Sequence, residues 1–200
     1  MLLADLNHRT IEDQGQDLKV DPNMDWPEGF AGHGAKYQAS KILAHQDTID
    51  WMKENKPDFS LVTIHPTFVL GHSLVQRSAA DIGGINALFW STLQADKPQF
   101  PPMVVDVRDV ADAHLRAATV PTKDRTTEFL LSGNKTSWDR VVSFIKSEFP
   151  EVKLGWTPPF ETASEVDTSR AENVLGMKWR STEDIFRSTI SQQLAFLKQQ

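Results

Sequence analysis

Helices and strands alternate along this 200-residue chain, and that alternation predicts an α/β fold built around a parallel sheet. Two observations carry the prediction. Ser60-Leu61-Val62-Thr63-Ile64-His65 is an apolar, β-branched run stopped by Pro66, which suits a strand buried in a parallel sheet. On either side of it lie segments whose apolar residues recur at helical spacing, as Ala39, Ile42, Ile49 and Met52 do before it.

In chain order, residues 1–33 read as an irregular surface loop. Asp13-Gln14-Gly15-Gln16, Asp21-Pro22-Asn23 and Asp25-Trp26-Pro27-Glu28-Gly29 are turn-forming clusters, while Trp26 asks for burial. Residues 34 to about 55 read as a helix, stopped by Asn55-Lys56-Pro57. After the strand at 60–65, Gly83-Gly84 opens a short helical run through Ile85, Leu88, Phe89 and Leu93, and Pro98, Pro101 and Pro102 form a connector. Residues 103–107 read as a short strand. Residues 109–118 read as a helix whose acidic start suits the macrodipole. Residues 127–132 form a further strand candidate. Residues 138–149 are helical with Val141, Val142, Ile145 and Phe149 on one side. Residues 168–175 read as a short helix closed by Gly176. Residues 182–197 form the last helix, with Ile185, Phe186, Thr189, Ile190, Leu194 and Leu197 expected to face inward. The tryptophans Trp51, Trp90, Trp138, Trp156 and Trp179 are expected in the core or at its rim.

Composition narrows the function. The net charge of -6 argues against a nucleic-acid surface. No apolar run is long enough to span a bilayer, and Asp5 interrupts Met1-Leu2-Leu3-Ala4, so no secretory leader and no membrane partner are expected. The absence of cysteine excludes disulfides, thiolate chemistry and Cys-based zinc sites. A cytoplasmic location follows by default. The histidines show no paired ligand spacing on one element, so no metal is expected.

The residues that carry chemistry are Tyr37 and Lys41. Four positions apart on a helix, they share one face a turn apart. A phenol gives up its proton near pH ~10, and a fixed positive charge within reach favours the phenolate. The pair can therefore give a proton to a carbonyl oxygen or take one from an alcohol. Asp106, Arg108 and Asp109 read as a strand-to-helix turn with a cap and a local ion pair rather than as a site.

Several segments in order carry a resemblance. Tyr37-x-x-x-Lys41 is followed by His65-Pro66-Thr67-Phe68-Val69-Leu70-Gly71, then by residues 105–114 (Val-Asp-Val-Arg-Asp-Val-Ala-Asp-Ala-His), then by Asp167-Thr168-Ser169-Arg170 with Leu175-Gly176. From about residue 34 onward the chain resembles the C-terminal two-thirds of an extended short-chain dehydrogenase/reductase, of the NAD-dependent epimerase/dehydratase superfamily. The branch it looks most like holds dihydroflavonol reductase and methylglyoxal reductase. The resemblance implies a partial doubly wound, Rossmann-like parallel sheet with a small C-terminal α/β substrate domain. It divides the chain into residues 1–75 (the C-terminal part of a dinucleotide-binding domain), 76–135 (mixed substrate-lobe and dinucleotide-domain elements) and 136–200 (a substrate-binding lobe).

The resemblance also implies roles. Tyr37 would be the proton donor, and Lys41 would hold the nicotinamide ribose and activate the phenol. Pro66 and Val69 would line the nicotinamide pocket. Phe68 and Leu70 would border the substrate, as would Trp90. The cofactor would be NADP or NAD, with NADP favoured, and the substrate a small carbonyl compound, with secondary metabolism as the setting the resemblance implies. Departures are His65 and His72, where the family has Asn and Pro, and the absence of a Gly-x-x-Gly-x-x-Gly turn between a strand and a helix, which the pyrophosphate requires. Without the strands that accompany that turn, the strand at 60–65 would present a bare edge. Two alternatives stay open: a truncated, catalytically silent remnant or subunit that needs a partner supplying the N-terminal half, and an epimerase or dehydratase on the same scaffold. A homodimer through the helix at 34–55 is a further expectation by analogy.

Overall fold

The computed structural model describes residues 20–121, 125–160 and 165–199; residues 1–19 of the loop predicted over 1–33 lie outside the described residues. Six α-helices and four strands follow one another in the described residues: α1 (Gly29–Asn55), β1 (Leu61–Pro66), β2 (Phe68–Leu70), α2 (Gly84–Thr92), β3 (Val104–Asp106), α3 (Val107–Ala117), β4 (Thr126–Leu131), α4 (Trp138–Glu148), α5 (Ser169–Leu175) and α6 (Thr182–Leu197). The described residues divide into two compact units, one within residues 64–120 and 129–199, the other within residues 20–63 and 121–128.

In the second unit α1 begins five residues before the predicted start. Gly29 enters at φ 69, and Glu28 precedes it in extended conformation. The turn-rich spelling of 29–33 hides this, because two glycines and a histidine disfavour a helix interior by propensity alone. The helix ends where expected. Lys56 adopts a left-handed conformation and its N–H closes on Met52 O, and Pro57 cannot continue the helix. Of the predicted stripe, Ala39 (5 % exposed) and Met52 (3 %) are buried, while Ile42 and Ile49 are half-buried. Trp51 is a correction to the expected core placement. It is half-exposed and stacks on exposed Phe59 with ring centroids 6.2 Å apart.

Strand β1 pairs with β4. Leu61 N–H donates to Arg125 O and Thr67 N–H to Leu131 O; both strands advance together, so the pairing is parallel. Residues 61–65 are half-buried rather than buried as predicted, because β4 is the strand's one hydrogen-bonded neighbour among the described residues. At Thr67 the chain changes partners. Phe68 N–H donates to Met103 O, and β2 runs parallel to β3 with Phe68 opposite Val104, Val69 opposite Val105 and Leu70 opposite Asp106. Pro66 sits just before the switch, where it carries no N–H for a ladder.

The core of the first unit is aromatic. Trp138 (2 % exposed) meets Trp156 edge-on at 4.9 Å and Phe100 at 5.4 Å, and its indole N–H donates to Phe100 O at 3.0 Å. Phe89 and Phe186 pack at 5.0 Å, with Val141, Ile145, Ile185 and Ile190 around them. Such pairs add about 0.5–1.5 kcal/mol each beyond area burial. Helix α6 corrects one expectation: Leu197 is 43 % exposed, as the helix runs out past the core. Gln192 and Gln193 are buried in its place.

Candidate active site

Tyr37 and Lys41 lie in the first half of α1, and the helical repeat brings them together. The Lys41 ammonium stands over the Tyr37 ring, 5.5 Å from its centroid, a cation–π distance. Tyr37 is 60 % exposed, so its phenol faces solvent. Ser40 Oγ donates to Tyr37 O at 2.7 Å, a helix-surface bond to the backbone that does not involve the phenol. Among the described residues Lys41 has no carboxylate partner, so its charge is available to a ligand. Further along the same unit, His45 Nε2 lies 3.1 Å from Glu128 Oε1.

The predicted pocket residues belong to the other unit. Strand alternation splits them. Phe68 and Leu70 point to the core side: Phe68 packs on Phe100 with centroids 4.8 Å apart, and Leu70 is 1 % exposed inside the aromatic cluster. Val69 points to the opposite face of β2 and is half-buried. Pro66 is exposed. Trp90, on α2, is half-buried against the same cluster.

Two features that hold this segment were not legible beforehand. Gly71 follows β2 at φ 140, and a Cβ there would stand 2.9 Å from Val107 Cγ1, so glycine is required by both backbone and space. Asn86 then clamps Gly71 with both halves of its amide. Its Nδ2 donates to Gly71 O at 2.7 Å, and its Oδ1 accepts from Gly71 N–H at 3.3 Å.

The turn from β3 into α3 is structural, as expected. Asp106, fully buried, accepts from Arg108 N–H at 2.8 Å and from the Arg108 guanidinium at 2.8 and 2.7 Å. Asp106 raises the Arg108 guanidinium above its usual value. Asp109 goes elsewhere. It accepts from Arg180 N–H at 3.0 Å and from the Arg180 guanidinium, tying α3 to the start of α6. Burial pushes the Asp109 carboxyl up, with the Arg180 bonds opposing it.

No family model matches the chain. Individual relatives do. Ketoreductase sphI of Aspergillus fumigatus is 34% identical over 195 residues, covering 92% of this chain and 58% of that protein. Ketoreductase CTB6 of Cercospora beticola is 28% identical over 172 residues, 78% of this chain and 47% of that one. Among solved structures, Gre2 of Candida albicans in complex with NADPH superposes with a TM-score of 0.64 at 25% identity, over 86% of this chain and 55% of that one. This chain thus spans about half the length of the relatives it matches. Parallel strands interleaved with helices and these relatives agree: the chain is similar to ketoreductases and to the reductase Gre2, as the resemblance to an extended short-chain dehydrogenase/reductase implies.

Proposed function

We propose that the chain carries the proton-delivering and pocket-forming portion of an NAD(P)H-dependent ketoreductase acting on a ketone or aldehyde of a small organic substrate. One observation carries the reading: a phenol and an ammonium without a carboxylate partner among the described residues share an exposed helix face, 5.5 Å from ring centroid to nitrogen, in a chain related to ketoreductases.

The residues present fit the nicotinamide end of the cofactor. A hydroxyl acid and a lysine without a competing carboxylate among the described residues are the donor set that a ribose and a reacting carbonyl need. The sequence holds no Gly-x-x-Gly-x-x-Gly turn, so no residue is assigned to the pyrophosphate. NADPH is the favoured form, since relatives of solved structure bind it. The nicotinamide, when bound, supplies the hydride. Tyr37 Oη delivers its proton to the substrate's carbonyl oxygen. Lys41 Nζ donates hydrogen bonds to the ribose hydroxyls and keeps positive charge beside the phenol as it becomes anionic. Pro66 and Val69 line the nicotinamide side. Trp90 borders the substrate, and Phe68 and Leu70 shape that border from the core side.

Reduction of a generic ketone, followed by NADPH consumption, tests the reading. Tyr37→Phe should lower turnover at least about 100-fold, within the range of general-acid contributions, with the circular dichroism unchanged. Turnover in that variant equal to wild type would remove Tyr37 from the role.

A further inference from the structure

We propose that a cleft in the first unit, separate from the residues assigned above, binds a small primary ammonium compound. The cleft has a volume of about 150 Å³. One wall is the loop between β4 and α4, carrying Lys135 and Thr136. The other is the segment leading into and past α5, carrying Glu165, Thr168, Glu172 and Trp179.

The unmatched groups define the ligand. Thr136 is 7 % exposed, and its Oγ1 is the buried side-chain polar atom without a hydrogen-bond partner among the described residues. A buried hydroxyl left unmatched is costly, so such an atom on a cleft wall asks for a partner. Glu172 Oε1 is committed twice, accepting from Thr168 Oγ1 and from the Trp179 indole N–H, each at 2.7 Å. These bonds fix the carboxylate's orientation, and its second oxygen has no hydrogen bond among the described residues. Lys135 and Glu165 reach across from the two walls and pair at 3.0 Å, so the lysine is already neutralised. Two carboxylates against one lysine leave the cleft net negative, which disfavours an anion. The unengaged carboxylate oxygen can only accept, while the hydroxyl can accept or donate, so the carboxylate calls for an N–H or O–H donor on the ligand. The negative balance of the lining, with a carboxylate as acceptor, favours a cation over a neutral donor.

Titration of the full chain with ethanolammonium chloride at constant ionic strength, followed by amide chemical shifts, tests this. Saturable shifts confined to residues 132–136 and 165–179 are expected. Glu172→Gln keeps the oxygen that receives Trp179 and Thr168 but removes the charge, and should weaken binding about tenfold or more. Thr136→Val, close in shape, should weaken it several-fold. Choline, which has no N–H donor, should bind more weakly than ethanolammonium. The proposal is overturned by the absence of saturable shifts in a folded wild-type chain, by equal affinity in Glu172→Gln, or by myo-inositol binding as tightly as ethanolammonium, which would make the cleft a polyol site. None of these readouts involves NADPH or Tyr37, so the outcome is independent of the reductase reading.

Discussion

The Tyr37 phenol is open to solvent while its ring carries the Lys41 ammonium, and that division of labour follows from spacing alone. Side chains four apart on a helix must meet, which is why this pair was legible in the sequence. Asn86 was not. A single asparagine in a helical run has no periodic signature, and its partner, Gly71, lies 15 residues away. Its amide satisfies both backbone groups of a glycine that has no other conformational choice. Asn86→Ala leaves those half-buried groups unmatched and should cost about 1–3 kcal/mol, read as a lower urea midpoint with an unchanged m-value. An unchanged midpoint would mean that water replaces the amide fully.

At the scale of elements, helix boundaries that rest on local chemistry were legible, and those that rest on distant partners were not. Asp106 before α3 and Gly176 after α5 each act within a few residues of themselves. Asp109 looks like one more acidic residue at a helix start, yet its partner is Arg180, 71 positions on, which no local pattern discloses. The half-burial of β1 was hidden for the same reason, since a strand's burial is set by its neighbours rather than by its own residues. Asp109 also predicts a pH dependence. Its folded pKa is raised above the usual 3.8, so the folded chain holds that proton more tightly than the unfolded chain. The resulting stabilisation is complete below the unfolded pKa and is lost as pH rises through the folded one. Asp109→Asn lacks this dependence. As pH rises from below 3.8 through the raised folded value, the stability of wild type relative to Asp109→Asn should therefore fall. A difference that grows with pH would show that the Arg180 bonds outweigh burial.

At the scale of the molecule, the α/β class was readable because apolar periodicity changes along the chain, whereas the change of strand partner at Thr67 was not. It depends on Leu131 and Met103, which arrive from 64 and 36 residues downstream. That switch places Pro66 to Gly71 against two different strands and fixes the segment assigned to the nicotinamide and substrate. The first unit that holds it is anchored by Trp138, which touches Phe100, Trp156 and Phe186. Trp138→Ala should cost about 3–5 kcal/mol, and loss of near-ultraviolet dichroism with the far-ultraviolet signal retained would be its signature. A loss under about 1 kcal/mol would indicate that the cluster closes over the gap. The central claim is that Tyr37 and Lys41 receive a nicotinamide cofactor. Calorimetric titration of the full chain with NADPH tests it most directly: the account predicts saturable, micromolar binding that weakens about tenfold or more in Lys41→Met, whereas no saturable heat in the folded wild type, or equal affinity in the variant, would contradict it.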